Sequence, residues 1–65
     1  MKVRLYQVRV FEGDPEALRA EYSDEWEEVC RTLGRTPTDG EWLLDCFLAN
    51  EDLLDLVDVE YEFDQ

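Results

Sequence analysis

Histidine is missing from this chain, and lysine and serine occur once each, as Lys2 and Ser23. The first absence removes the usual neutral-pH base and the commonest nitrogen ligand for metals. Cys30 and Cys46 are the only cysteines, and two thiols without histidine do not close a zinc site. Ser23 stands where a helix cap is expected, not beside a base. Three glycines and two prolines leave no glycine-rich loop, and "PTDG" lacks the lysine and spacing of a phosphate loop. The carboxylate-rich "DLLDLVDVEYE" lacks the central glycine of a calcium loop. Paired carboxylates abound, but a glycosidase needs a cleft between its acids, and 65 residues build one small core with little else. These absences point to a non-enzymatic protein with no cofactor and no dedicated metal site.

Acid is what the chain has in excess. Eighteen Asp and Glu face six Lys and Arg, a formal charge of -12. This is beyond what solubility requires of a small domain, and it opposes compaction by self-repulsion. It argues against direct binding to nucleic acid, which needs a basic footprint, and against anionic membranes. The natural complement is a basic protein. At 45% apolar, with two Trp, three Tyr and three Phe, the chain is too hydrophobic for an acidic disordered tail. One domain over residues 1–65 is expected. The alternating start "MKVRLYQVRV" is neither a signal peptide nor a membrane span. Both cysteines sit in apolar runs and read as reduced, buried thiols of a cytoplasmic protein, although a disulfide between facing helices remains open.

Periodicity predicts a strand over residues 2–11, with an unsettled phase: Val3 and Leu5 share one face, whereas Tyr6, Val8 and Val10 share the other. A bulge, or partial cover of both faces, would account for it. Gly13 permits a turn, and Asp14 followed by Pro15 suits a short helical turn around 15–20. "SDEWEEVCRTLG" reads as a first helix, capped by Ser23, ended by Gly34, with Tyr22, Trp26, Val29, Cys30 and Leu33 on one stripe. "TPTDGEWLLDCFLAN" reads as a second, opened by a Thr38–Glu41 capping box. Its core side holds Trp42, Leu43, Cys46, Phe47 and Ala49, with Leu44 and Leu48 widening the arc. Asn50 caps a further turn at "EDLLDL". The last strand covers 56–63, with Val57, Val59, Tyr61 and Phe63 pointing inward and the acids outward. The expected fold is α+β: a two-stranded antiparallel sheet of the terminal strands, covered on one face by two helices.

The acids fall in three groups. The first is Asp24, Glu25, Glu27 and Glu28; the second is Glu41, Asp45, Glu51, Asp52 and Asp55; the third is Asp58, Glu60, Glu62 and Asp64. No base follows Arg35. Alternate strand residues stand about 6.6 Å apart, and nucleic acid offers a phosphate per roughly 3.4 Å of axial rise on each strand. A row of carboxylates could therefore imitate a run of phosphates for a basic groove. The candidate partner-binding residues are Asp24, Glu25, Glu28, Asp45, Asp52, Asp55, Asp58, Glu60, Glu62 and Asp64. Apolar anchors are also present: Trp42, Leu44 and Leu48 are candidates for a hydrophobic contact.

In size and charge, and through "SDEWEEV", the base-free stretch from Thr36 and the closing "DLVDVEYEFD", the chain resembles small acidic phage-encoded inhibitors of the nucleic-acid-mimic type, anti-CRISPR proteins among them. The resemblance implies a decoy that occupies the nucleic-acid groove of a host defence or DNA-processing protein, in the host cytoplasm, as a monomer more readily than a homodimer. Two alternatives stay open: an interaction or assembly module working through an apolar helix face, and a salt-adapted acidic domain of unrelated function.

Overall fold

The computed structural model describes residues 1–64. Strand β1 (Arg4–Glu12) leads to helices α1 (Pro15–Glu21), α2 (Ser23–Leu33) and α3 (Asp39–Ala49). A 3-10 turn, Glu51–Leu53, precedes strand β2 (Asp55–Asp64), and the two strands pair antiparallel as a ribbon. The terminal sheet is therefore as expected, but the helices are three, not two with short turns. The reason lies at Asp14, whose carboxylate accepts from the Glu16 and Ala17 amides at 3.0 and 3.3 Å. With Pro15 at the first helical position, this cap starts a helix of two turns that buries Leu18. The backbone leaves helical geometry only at Tyr22 (φ -116°, ψ 51°) before α2 begins. Ser23 consequently lies inside α2, and Tyr22 holds the cap position without a side-chain cap bond.

The other termini follow their chemistry. Gly34, at φ 70°, ends α2 in the left-handed conformation that glycine adopts without strain. The Thr38 hydroxyl accepts from the Glu41 amide at 3.2 Å, and the Glu41 carboxylate accepts from the Thr38 amide at 3.1 Å. Asn50 caps the 3-10 turn by accepting from the Asp52 amide at 3.1 Å. Gly13 admits a close approach: a Cβ there would collide with a methyl of Leu54, itself held in the core.

The three helices enclose Trp42, 1% exposed, together with Leu18, Cys46 and Leu54. The Trp42 indole N–H donates to the Pro15 carbonyl at 3.2 Å, which ties α3 to the start of α1. Trp26 meets its ring edge-on at 5.2 Å, and the Arg19 guanidinium covers the Trp26 ring at 4.8 Å. Phe11 reaches this head from the ribbon and packs on Phe47 at 4.8 Å. Cys46 is buried and Cys30 half-buried, both as free thiols; burial raises the Cys46 thiol above its ordinary range, with Asp45 and Glu25 adding to the shift.

The expected cover of the sheet is overturned. In β1 only Phe11 is half-buried, and in β2 only Val59; every other described strand residue is exposed. Val57, Tyr61 and Phe63, expected inward, are 49%, 57% and 70% exposed, and Ala49 is exposed as well. Length explains this. Strands of 9 and 10 residues extend about 30 Å, whereas an 11-residue helix reaches only about 16 Å. Helices that gather around Trp42 cannot also lie along such a ribbon. The molecule measures 48 × 23 × 16 Å, and its radius of gyration is 15.4 Å, against about 11 Å for a compact chain of this length.

Trp42→Ala should cost about 3–5 kcal/mol, out of a total on the order of 3–10 kcal/mol for so short a chain. The expected outcome is loss of the cooperative helical transition in circular dichroism, whereas Val8→Thr on the ribbon leaves that transition nearly in place.

Candidate functional site

The register assigns each ribbon residue to a face. Arg4 opposes Asp64, Tyr6 opposes Glu62, Val8 opposes Glu60 and Val10 opposes Asp58. The other face pairs Leu5 with Phe63, Gln7 with Tyr61 and Arg9 with Val59. The Gln7 amide donates to the Tyr61 hydroxyl at 3.2 Å across that second face. A bulge between Val10 and Phe11 absorbs Val57, so that Leu56 opposes Phe11 and Asp55 opposes Glu12. The phase question in β1 is thereby answered: both of its apolar sets are real, one on each side of an uncovered ribbon. The sign of the charge is divided the same way. One face carries the acid row Asp58, Glu60, Glu62 and Asp64 beside the apolar Tyr6, Val8 and Val10; the other, between Leu5 and Phe11, carries no acid.

The basic residues do not neutralise the row. Among the described residues the one ion pair is Arg35 to Glu41, at 2.7 Å. It is bidentate, with a second hydrogen bond of 2.9 Å, and lies at the head, away from the ribbon. Hydrogen bonds from Arg35, then from the Thr38 amide and hydroxyl, hold the Glu41 carboxyl down at about 2. A depressed carboxylate stabilises the fold above its unfolded pKa, and the stabilisation fades as pH falls toward about 2. Arg4 stands across from Asp64 in register without an ion pair. The Asp58 carboxylate accepts from the Val59 amide at 2.9 Å, which orients the first acid of the row.

The remaining candidates separate into different places. Glu25, Glu28 and Asp45 line one shallow depression of about 200 Å³ between α2 and α3, with Val29, Thr32 and Leu33. Asp24 lies on the neighbouring turn with Glu21 and Tyr22. Asp52 and Asp55 flank Leu54, where the chain leaves the head for β2. The ten acids thus form no single array; Asp58 to Asp64 form one row, and the helical acids stand apart from it. Among the described residues no group of three or more potential ligands is placed to hold a metal ion, and no helix is long and apolar enough to cross a membrane.

Of the apolar candidates, Trp42 is enclosed in the core and offers no surface. Its indole answers the needs of three converging helices, which a helical pattern alone does not reveal. Leu44 and Leu48 are 57% and 73% exposed. Leu44 lines a groove of about 410 Å³ with Arg9, Phe11, Leu43, Phe47 and Leu54, where the acid-free ribbon face meets α3. Sequence reasoning missed this groove and the exposure of Leu5, Tyr61 and Phe63 on the same ribbon face. The two apolar sets of β1, whose phase the sequence leaves open, were the available signal.

No protein-family model matches the chain, and no curated protein or solved structure shows significant similarity to it.

The Glu25–Asp45 pair gives a pH-dependent test. One Asp45 oxygen is buried without a donor. The Glu25 carboxyl is pushed above the usual carboxylate range, first by its hydrogen bond with Asp45, then by desolvation and by the charges of Asp45 and Glu28. A raised pKa means that the native state holds this proton more tightly than the unfolded chain, so its stabilisation is present in acid and lost as pH rises through the native value. Glu25→Gln supplies a permanent donor and removes one like charge. It should raise the melting temperature at pH 7 by about 2 °C, and the gain should vanish in acid, where Glu25 is protonated.

Proposed function

We propose that the protein is a non-catalytic inhibitor that binds a basic nucleic-acid-binding protein and blocks its groove with the acid face of the ribbon. The observation behind this reading is the uncompensated row of Asp58, Glu60, Glu62 and Asp64 on one face of a strand that projects from the head. Strand geometry spaces these carboxylates by about 6.6 Å, and pairing with β1 orders them before any partner arrives, which limits the entropy lost on binding. Tyr6, Val8 and Val10 lie alongside and would meet the stems of lysine or arginine side chains, which are themselves apolar. Inhibition follows from occupancy: a groove filled by the ribbon has no room for its nucleic acid. A defence complex, such as a CRISPR effector, or a DNA-processing enzyme would present such a groove. The row is short, so it replaces a few phosphates of one strand, and the helical acids contribute by long-range attraction more than by contact.

Capture from a bacterial lysate in low salt, followed by elution with duplex DNA, tests this reading. The expected result is recovery of nucleic-acid-binding proteins that DNA displaces, with capture falling steeply as salt rises. Glu60→Lys combined with Glu62→Lys should weaken the interaction more than tenfold. Unchanged inhibition or capture by that double variant would remove the ribbon from the contact surface.

A further inference from the structure

We infer that the acid-free face of the ribbon is a self-association surface, covered in solution by the same face of a second copy. The argument is independent of the proposed inhibitory role. A two-stranded ribbon alone is marginal in water, yet this one extends from the head with both faces exposed. On its acid-free side Leu5, Tyr61 and Phe63 are 61%, 57% and 70% exposed. Farther along the same face, past Gln7 and Arg9, lies the groove between Phe11 and Leu44.

Charge selects the face on which two copies can meet. A chain of net charge -12 meets its own copy against strong repulsion, so a homodimer needs a surface that brings no carboxylates together. Between Leu5 and Phe11 the inferred face offers one charged residue, Arg9, and that side chain lies over the Phe11 ring at 5.3 Å. Packing acid face on acid face would instead oppose two rows of four carboxylates. Edge pairing of β2 with β2 would also bring those rows together, a destabilising arrangement. Face-to-face packing of the acid-free sides turns both acid rows outward, with two ribbons between them.

The dimensions agree. From Phe11 to Leu5 the strand advances about 20 Å. A two-fold axis midway along the ribbons therefore lays the Leu5–Phe63 end of one copy against the Phe11–Leu44 groove of the other, and the reverse, as isologous contacts require. A covered aromatic side chain removes about 150–250 Å² from water. Leu5, Leu44, Tyr61 and Phe63, each more than half exposed, thus place roughly 500 Å² per copy on offer, below the ~800 Å² per partner of a standard interface and in the range of weak, reversible association.

Sedimentation equilibrium of the intact chain at micromolar to hundred-micromolar concentration tests this, with each variant's fold checked by circular dichroism of the helical head. The expected result is a species of twice the 7.7 kDa chain mass, whose dissociation constant decreases as salt screens the repulsion. Leu5→Ser with Phe63→Ser should shift it to monomer, and Val8→Thr on the acid face should not. A chain that stays monomeric at hundred-micromolar concentration in both low and high salt overturns the inference. So does a dimer that survives the double variant. Isotope-filtered NMR of a mixed-label sample requires no substitution: contacts between Leu5 or Phe63 of one copy and Leu44 of the other are expected, and a dimer lacking them overturns the assignment.

Discussion

The indole of Trp42 is the interaction on which the rest of the molecule depends. Its ring fills the space where three helices converge, and its N–H reaches the Pro15 carbonyl. Because that carbonyl belongs to the first residue of α1, a single side chain joins the beginning and the end of the helical segment. Leu18, Cys46 and Leu54 complete the enclosure. A chain of 65 residues has enough apolar material for one such centre. Once the helices have turned inward on Trp42, they have no second face available for the sheet.

The ribbon takes its character from that allocation. Anchored through Phe11 at its base, it projects as a hydrogen-bonded pair of strands with two different solvent-facing sides. Register then sorts the side chains. Asp58, Glu60, Glu62 and Asp64 each stand opposite an apolar or basic residue of β1, so these carboxylates collect on one face while Leu5, Tyr61 and Phe63 collect on the other. The bulge at Val57 keeps Leu56 opposite Phe11, which places it beside the groove at the head. Charge and hydrophobicity are thus separated across the thickness of one sheet. The proposed acid-row contact and the inferred self-association use opposite sides of it and do not compete.

Local signals were legible wherever a few neighbouring residues decide the outcome. Asp14 and Pro15, Gly34, the Thr38–Glu41 pair and Asn50 all mark their termini through short-range hydrogen bonding or backbone preference. The alternation of β2 likewise announced that its acids share a face. Ser23 misled because the chain enters α2 directly from α1; a cap residue caps only where the preceding backbone is not helical. Trp42 and Leu44 are two positions apart on α3, and both suit an apolar arc, yet one is enclosed and the other open. That difference depends on where α1 and α2 lie, which no local pattern encodes.

The sequence by itself determined the element types, the antiparallel terminal strands, the overwhelming negative charge and the alternation that lines up Asp58, Glu60, Glu62 and Asp64. These follow from covalent neighbours, backbone propensities and the two-residue period of a strand. Tertiary structure alone decided that the helices close on Trp42 rather than on the sheet, that the ribbon stands free, and that its apolar face is open to solvent. The physical reason is one of dimensions: helices about 16 Å long cannot cover strands of about 30 Å while burying their own apolar stripes against one another.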